Sequence, residues 1–168
     1  DGAHTLTARY KNPAGTGAGV RLNINIDTQA PAFAVGAAIS LAVASDTGVI
    51  GDTVTNSTTP TIRGSGAPAG STVFVTFAAT GQTTLTKSVT AEDDGTFTAV
   101  PLSALAGGAG TGWTVTARVR DTAGNLSSAI TTAITVDTVA PATPTITNPG
   151  ANLGLSPIVS GTSEPGSA

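Results

Sequence analysis

Cysteine is absent from this chain, and that absence removes several possibilities at once. No disulfide, thiolate nucleophile or cysteine-based metal centre can form. Secreted domains of this size often rely on disulfides, so stability must come from a core or another staple. Charge is almost as scarce: Asp, Glu, Lys and Arg are 10% of residues and the net charge is −3. With no basic patch, the chain does not read as a nucleic-acid binder. Aromatics are few: Trp113, Tyr10 and the phenylalanines at 33, 74, 77 and 97. No apolar run is long enough to span a membrane, and no signal peptide is found. The chain opens in mid-pattern, which reads as an internal fragment.

What is present is Ala, Val, Ile, Leu, Thr and Gly. A helical bundle needs Leu, Glu, Lys and Arg at helical spacing. This mixture instead suits short β-branched strands joined by Gly, Asn, Asp and Ser turns.

Internal repetition organises the chain. Asp27-Thr28-Gln29-Ala30-Pro31 returns 110 residues later as Asp137-Thr138-Val139-Ala140-Pro141. Thr7-Ala8-Arg9-Tyr10-Lys11 returns after 109 residues as Thr116-Ala117-Arg118-Val119-Arg120. Thr59-Pro60-Thr61-Ile62-Arg63-Gly64-Ser65 is matched 97 residues on by Ser156-Pro157-Ile158-Val159-Ser160-Gly161-Thr162. A period near 110 exceeds solenoid repeats of about 20–50 residues and equals a self-sufficient β-sandwich of about 100 residues. Residues 29–138 are therefore expected to form one complete repeat. Residues 1–28 read as the closing strands of a preceding copy, and residues 139–168 as the opening strands of a following one.

Alternation supplies the strands. Trp113, Val115, Ala117 and Val119 should face inward and Thr114, Thr116, Arg118 and Arg120 outward. Ile130, Thr132, Ile134 and Val136 share a face in the next strand, with Asp121–Asn125 as the turn between. Val73, Val75 and Phe77 share a face, Leu85–Thr90 is a strand, Ile62 sits in a strand behind Pro60, and Phe33–Val43 holds the first. Asp93-Asp94-Gly95 reads as a hairpin turn, because Gly accepts φ > 0. The expectation is all-β: a seven-stranded antiparallel immunoglobulin-like β-sandwich in a tandem array. Two-stranded pieces are marginal alone, so the partial copies are expected to pack on the central repeat or on a neighbour.

The order of these motifs resembles the bacterial Ig-like repeats of giant biofilm-associated cell-surface adhesins exported by type I secretion. The matching elements are Asp-Thr-x-Ala-Pro at both junctions, Ser45-Asp46-Thr47-Gly48, Thr59-Pro60-Thr61-Ile62-x-Gly64, Gly70-Ser71-Thr72-Val73, Asp94-Gly95-x-Phe97 and Asp121-x-Ala123-Gly124-Asn125. The first partial copy departs, with Asn12-Pro13-Ala14-Gly15-Thr16 where Asp-x-Ala-Gly-Asn belongs. The last copy lacks an Asp-Thr-Gly loop. The resemblance implies an extracellular stalk on a bacterial cell surface, serving adhesion or biofilm formation, with adjacent repeats of the same chain as partners and interdomain Ca²⁺ as stiffener.

Ten acids carry the possible chemistry. In an Ig-like sandwich, Asp121 should lie near Asp27 at the N-terminal junction, and Asp46 near Asp137 at the C-terminal one. Clustered carboxylates repel unless a cation joins them, and Ca²⁺ accepts six to eight oxygens in flexible geometry. Asp27, Asp46, Asp121 and Asp137 are thus the candidate Ca²⁺ ligands, with Asp52 and Asn125 as helpers. The competing explanation is that Asp simply favours turns, and no EF-hand pattern is present.

Catalysis finds little support. His4 aligns with Trp113 and reads as a structural ring, and no nucleophile–base arrangement can be drawn with it. Asp93 and Asp94 are adjacent in a tight turn and point apart, unlike a glycosidase pair. Gly15-x-Gly17-x-Gly19 and Gly108-x-Gly110-x-Gly112 precede strands, whereas a phosphate loop precedes a helix. The expected function is a non-enzymatic stalk. Alternatives are a glycan- or protein-binding module and an accessory domain of a large secreted hydrolase.

Overall fold

The computed structural model describes residues 1–147 and 160–163. The elements follow in chain order: β1 (Gly2–Ala8), β2 (Lys11–Asn12), β3 (Gly15–Thr16), β4 (Val20–Ile26), β5 (Ile39–Leu41), β6 (Val54–Thr55), β7 (Ile62–Gly64), β8 (Thr72–Ala78), β9 (Leu85–Thr90), β10 (Phe97–Ala99), β11 (Thr111–Arg120), β12 (Ile130–Val136), β13 (Thr145–Thr147) and β14 (Ser160–Thr162). Residues 156–159 of the expected third copy and Glu164 lie outside the described residues.

The central repeat is a two-sheet sandwich. One sheet has the order β10-β7-β5 and the other β6-β12-β11-β8-β9. Its long strands alternate as the sequence pattern demands. In β11, Trp113, Val115, Ala117 and Val119 are buried while Thr114, Arg118 and Arg120 are exposed. Their inner faces meet Ile39, Leu41, Ile62, Phe97 and Ala99 from the smaller sheet. Fully burying a Val, Ile or Phe side chain contributes about 1.5–3 kcal/mol, and Val73, Val75, Phe77, Val115 and Val136 are all sealed. Trp113 keeps its polar edge satisfied by donating Nε1–H to the Ala106 carbonyl at 3.0 Å.

Three details differ from the sequence reading. The sandwich has eight strands, not seven, because β6 is an extra two-residue strand. It pairs parallel to β12, through Thr135↔Val54 and Val136↔Thr55, so the sandwich is not wholly antiparallel. The Asp93–Gly95 turn does form, with Gly95 at φ 78 and its N–H donating to the Glu92 carbonyl at 2.9 Å. Yet it is not a hairpin, since β9 and β10 belong to different sheets. The chain uses the tight turn to cross from one layer to the other. Apolar alternation is the same in a strand whichever layer its successor joins, so the pattern could not distinguish the two.

Two positions mark where the chain changes course. After β5 it passes through a single 3₁₀ turn, Val43–Ser45, then a loop, and enters β6 in the opposite sheet. That loop holds Asp46. At the other end, β11 and β12 pair regularly until Ala117↔Ile130. Beyond this, the buried Ser127 hydroxyl accepts the Val119 N–H at 2.9 Å and donates to the Ser128 carbonyl at 2.7 Å. It thereby satisfies backbone that the splayed ladder leaves unpaired.

Residues 1–28, expected to be the end of a preceding copy, contain a β1–β4 hairpin in register from Gly2↔Ile26 to Ala8↔Val20. Leu6, Tyr10, Val20, Leu22 and Ile26 on it are exposed, so of the two expected arrangements it does not take the one packed on the central repeat. His4 is exposed as well, opposite Ile24, and not in a core. Among the described residues β1 and β4 form a separate two-stranded sheet, so the inward-alternating side chains meet no opposing layer. β13 and β14 pair antiparallel at the other end.

Candidate functional site at the repeat junctions

The candidate ligands separate into three groups by what their carboxylates already hold. The junction acids behave alike. Asp27 Oδ1 accepts the Gln29 N–H at 3.0 Å, and Asp137 Oδ1 accepts the Val139 N–H at 3.0 Å. Each is an Asx-turn, in which Asp bonds its own backbone two residues on. Asp therefore recurs in the Asp-Thr-x-Ala-Pro linker for a local reason: it pins the first half of the joint, while Pro fixes φ in the second. Asp52 does the same for the Val54 N–H at 2.9 Å.

Asp121 and Asn125 form a closed unit. Asp121 Oδ1 accepts the N–H groups of Gly124 at 2.7 Å and Asn125 at 2.8 Å, and Oδ2 accepts Asn125 Nδ2–H at 2.9 Å. The second Nδ2 proton goes to the Asp27 carbonyl at 3.0 Å, 98 residues away in sequence. Asn125 thus bridges the turn of the central repeat to the linker that precedes it. Expected as a helper at a Ca²⁺ site, Asn125 here makes a direct side-chain contact to that linker. Its side-chain hydrogen bond is the main reason the Asp121 carboxyl is held below the usual carboxylate range, with the backbone N–H groups adding to it against some desolvation. Asp94, solvent-exposed in the inter-sheet turn, is lowered by the hydroxyl and N–H of Thr96.

Asp46 is the exception. It is 8% exposed, and its Oδ2 accepts the Gly51 N–H at 2.6 Å, but Oδ1 is buried with no hydrogen-bond partner. A buried unsatisfied acceptor costs about 1–3 kcal/mol, and in native proteins such an atom commonly marks a water or an ion. The Asp46 loop lies at the C-terminal end of the repeat. Thr47 Oγ1 there accepts the Asn56 N–H at 2.9 Å, and the Thr55 carbonyl accepts the Asp137 N–H at 2.9 Å. Strand β6 therefore connects the Asp46 loop to the second linker. Among the described residues, no three acidic or histidine side chains converge into a ready-made cation site. The donor chemistry suits Ca²⁺ at Asp46, where an anionic oxygen is free. It suits it less at Asp121, whose oxygens are occupied.

A model of the bacterial Ig-like domain family matches residues 34–138. Among solved structures, one described as a tetra-tandem repeat in the extending region of a large adhesion protein is similar at 20% identity and a TM-score of 0.44. It covers 89% of this chain, which spans 35% of that one. The comparison with curated proteins gives no significant match. Among the described residues, no helix is long and apolar enough to cross a membrane. The matched domain is a structural module and not an enzyme. With more than half its length matched by that model, and a two-sheet sandwich in the matched span, the chain belongs to the bacterial Ig-like domain family.

Proposed function

We propose that this chain is a section of the extracellular stalk of a bacterial surface adhesin, a spacer that holds an adhesive region away from the cell. The observation that carries the reading is the Asn125 bridge to the Asp27 carbonyl. A module that only needed to fold would have no use for a side-chain bond to the preceding linker. A spacer needs its joints held, and here one repeat grips the linker before it. Both linkers are also braced internally by the same Asx-turn. The repeat contributes length, and the joint contributes persistence.

Calcium is the second part of the proposal. At the C-terminal junction Asp46 would supply its free oxygen, and Asp137 and Asp52, which do not converge on it in this structure, would have to move in as further oxygen donors. The ion would offset the charge that burial leaves exposed to low dielectric. At the N-terminal junction, Asp27 and Asp121 would be ligands with Asn125 beside them, sharing oxygens that already accept hydrogen bonds.

Small-angle scattering on arrays of increasing repeat number tests the stalk reading. The maximum dimension should grow linearly with repeat number, and Asn125→Ala in every repeat should shorten it. Growth with the square root of repeat number in the parent array, as for freely jointed units, would overturn it.

A further inference from the structure

The outer face of the five-stranded sheet carries a feature that spacing does not require. A groove of about 410 Å³ is lined by Phe74 and Thr76 of β8, Thr116, Arg118 and Arg120 of β11, and Leu126. Phe74 stands directly opposite Arg118 in the β8–β11 register. The Arg120 guanidinium carbon lies 4.8 Å from the centre of the Phe74 ring. Arg118 Nη1–H reaches the Ser127 carbonyl at 3.4 Å. Neither guanidinium has an ion-pair partner among the described residues. The nearest acid in sequence, Asp121, has its carboxylate turned into its own loop. Two unpaired, pre-positioned cations side by side are unusual on a chain of net charge −3 with only seven Lys and Arg.

We propose that this groove binds a carboxylate-bearing polysaccharide, a polymer of uronic acid type. Guanidinium groups present a rigid fork matched to carboxylate, and the stacking on Phe74 holds one fork in place before binding. Thr76 and Thr116 offer hydroxyls for sugar hydroxyls, and Leu126 and the Phe74 edge offer apolar surface for a ring's C–H face. The volume falls in the lower part of the range for small-ligand clefts, roughly 300–1,000 Å³.

An acidic peptide fits less well. Peptides on β-proteins usually add as a strand at a sheet edge, where backbone groups are free. Here β8 lies between β11 and β9, and β11 lies between β12 and β8, so both are interior strands. Recognition on this face must come from side chains alone. The repetition also favours a polymer. Thr116, Arg118 and Arg120 correspond, 109 residues earlier, to Thr7, Arg9 and Lys11. A cation pair therefore returns in the preceding copy, and weak sites in series along one chain gain avidity on a polymeric ligand.

The test is titration of the whole chain with galacturonate oligomers in the presence of EDTA, followed by amide and methyl NMR shifts. Saturable shifts confined to Phe74, Thr76, Thr116 and Leu126 are expected. The R118Q/R120Q double variant should weaken binding about tenfold or more, because charge-assisted hydrogen bonds are the strong ones. R63Q, on the other sheet, should leave it unchanged. The substituted arginines are exposed, and an unaltered melting point would show that the double variant is folded. Binding by R118Q/R120Q equal to the parent would overturn the proposal. So would polyglutamate of matched length giving the same shifts at the same affinity, or the absence of saturable binding.

Discussion

Replacing Asp46 by Asn separates an ion ligand from an ordinary loop acid. Without an ion, Asp46 is in an unfavourable position: Oδ1 is buried and unpartnered, while Oδ2 holds the Gly51 N–H. Asn keeps an acceptor for that N–H and removes the buried charge. In EDTA the variant should therefore lie within about 1 kcal/mol of the parent, since one unsatisfied group replaces another. With Ca²⁺ the two should diverge. A ligand that binds only the folded state adds about 2.7 kcal/mol at a hundredfold excess over Kd. For a domain of roughly 100 residues this raises the melting point on the order of 10–20 °C. The parent should show that rise and Asp46→Asn should not. The assay is calorimetric unfolding of an array with at least two intact repeats, with Ca²⁺ titrated against EDTA. An equal Ca²⁺ response in both proteins would exclude Asp46 as a ligand, and no response in either would leave its carboxylate a loop acid.

Other outcomes follow from the same contacts. A Cβ at Gly64 would collide with the Phe97 ring directly across the ladder. Gly64→Ala should thus destabilise by about 1–3 kcal/mol from overpacking, although Ala is otherwise favoured over Gly in a strand by roughly 0.5–1 kcal/mol. A stabilised variant in urea unfolding would mean that the ring is not held over Gly64. Asn125→Ala should raise the Asp121 pKa toward its ordinary value, because the Asn125 amide is the main cause of the lowering. A depressed native pKa contributes stability above the unfolded value near 3.8, lost as pH falls through the native one. Carboxyl ¹³C titration should therefore show the parent's Asp121 protonating at lower pH than the variant's, and coincident curves would contradict the assignment. Trp113→Phe removes the Nε1–H bond to the Ala106 carbonyl. A loss of about 1 kcal/mol is expected in equilibrium unfolding, because a half-buried acceptor loses its partner, and no loss would mean that water replaces the indole.

Much of this protein is legible in one dimension. The strand faces of β8, β11 and β12 follow from period-two alternation, because a sandwich buries one side of each strand and wets the other. The linker Asp has a cause as local as its motif: it bonds the N–H two residues on. Family membership was readable for the same reason, since turn residues at fixed offsets are read without knowing what packs where. What the tertiary structure decided depends on residues distant in sequence. Asp93-Asp94-Gly95 specifies a tight turn, but whether the next strand stays in the layer depends on the partner that waits for it, here β7. Val54–Thr55 is too short for any pattern, and becomes a strand only because β12 offers a free edge. Asp27, Asp52, Asp121 and Asp137 look the same in a sequence as Asp46, yet burial left one Asp46 oxygen alone while backbone N–H groups engaged the others. Asn125 reached the preceding linker, and Arg118, Arg120 and Phe74 came together, because strands fixed by their own alternation were laid side by side. Alternation sets which way a side chain faces, and only packing sets which side chains it meets.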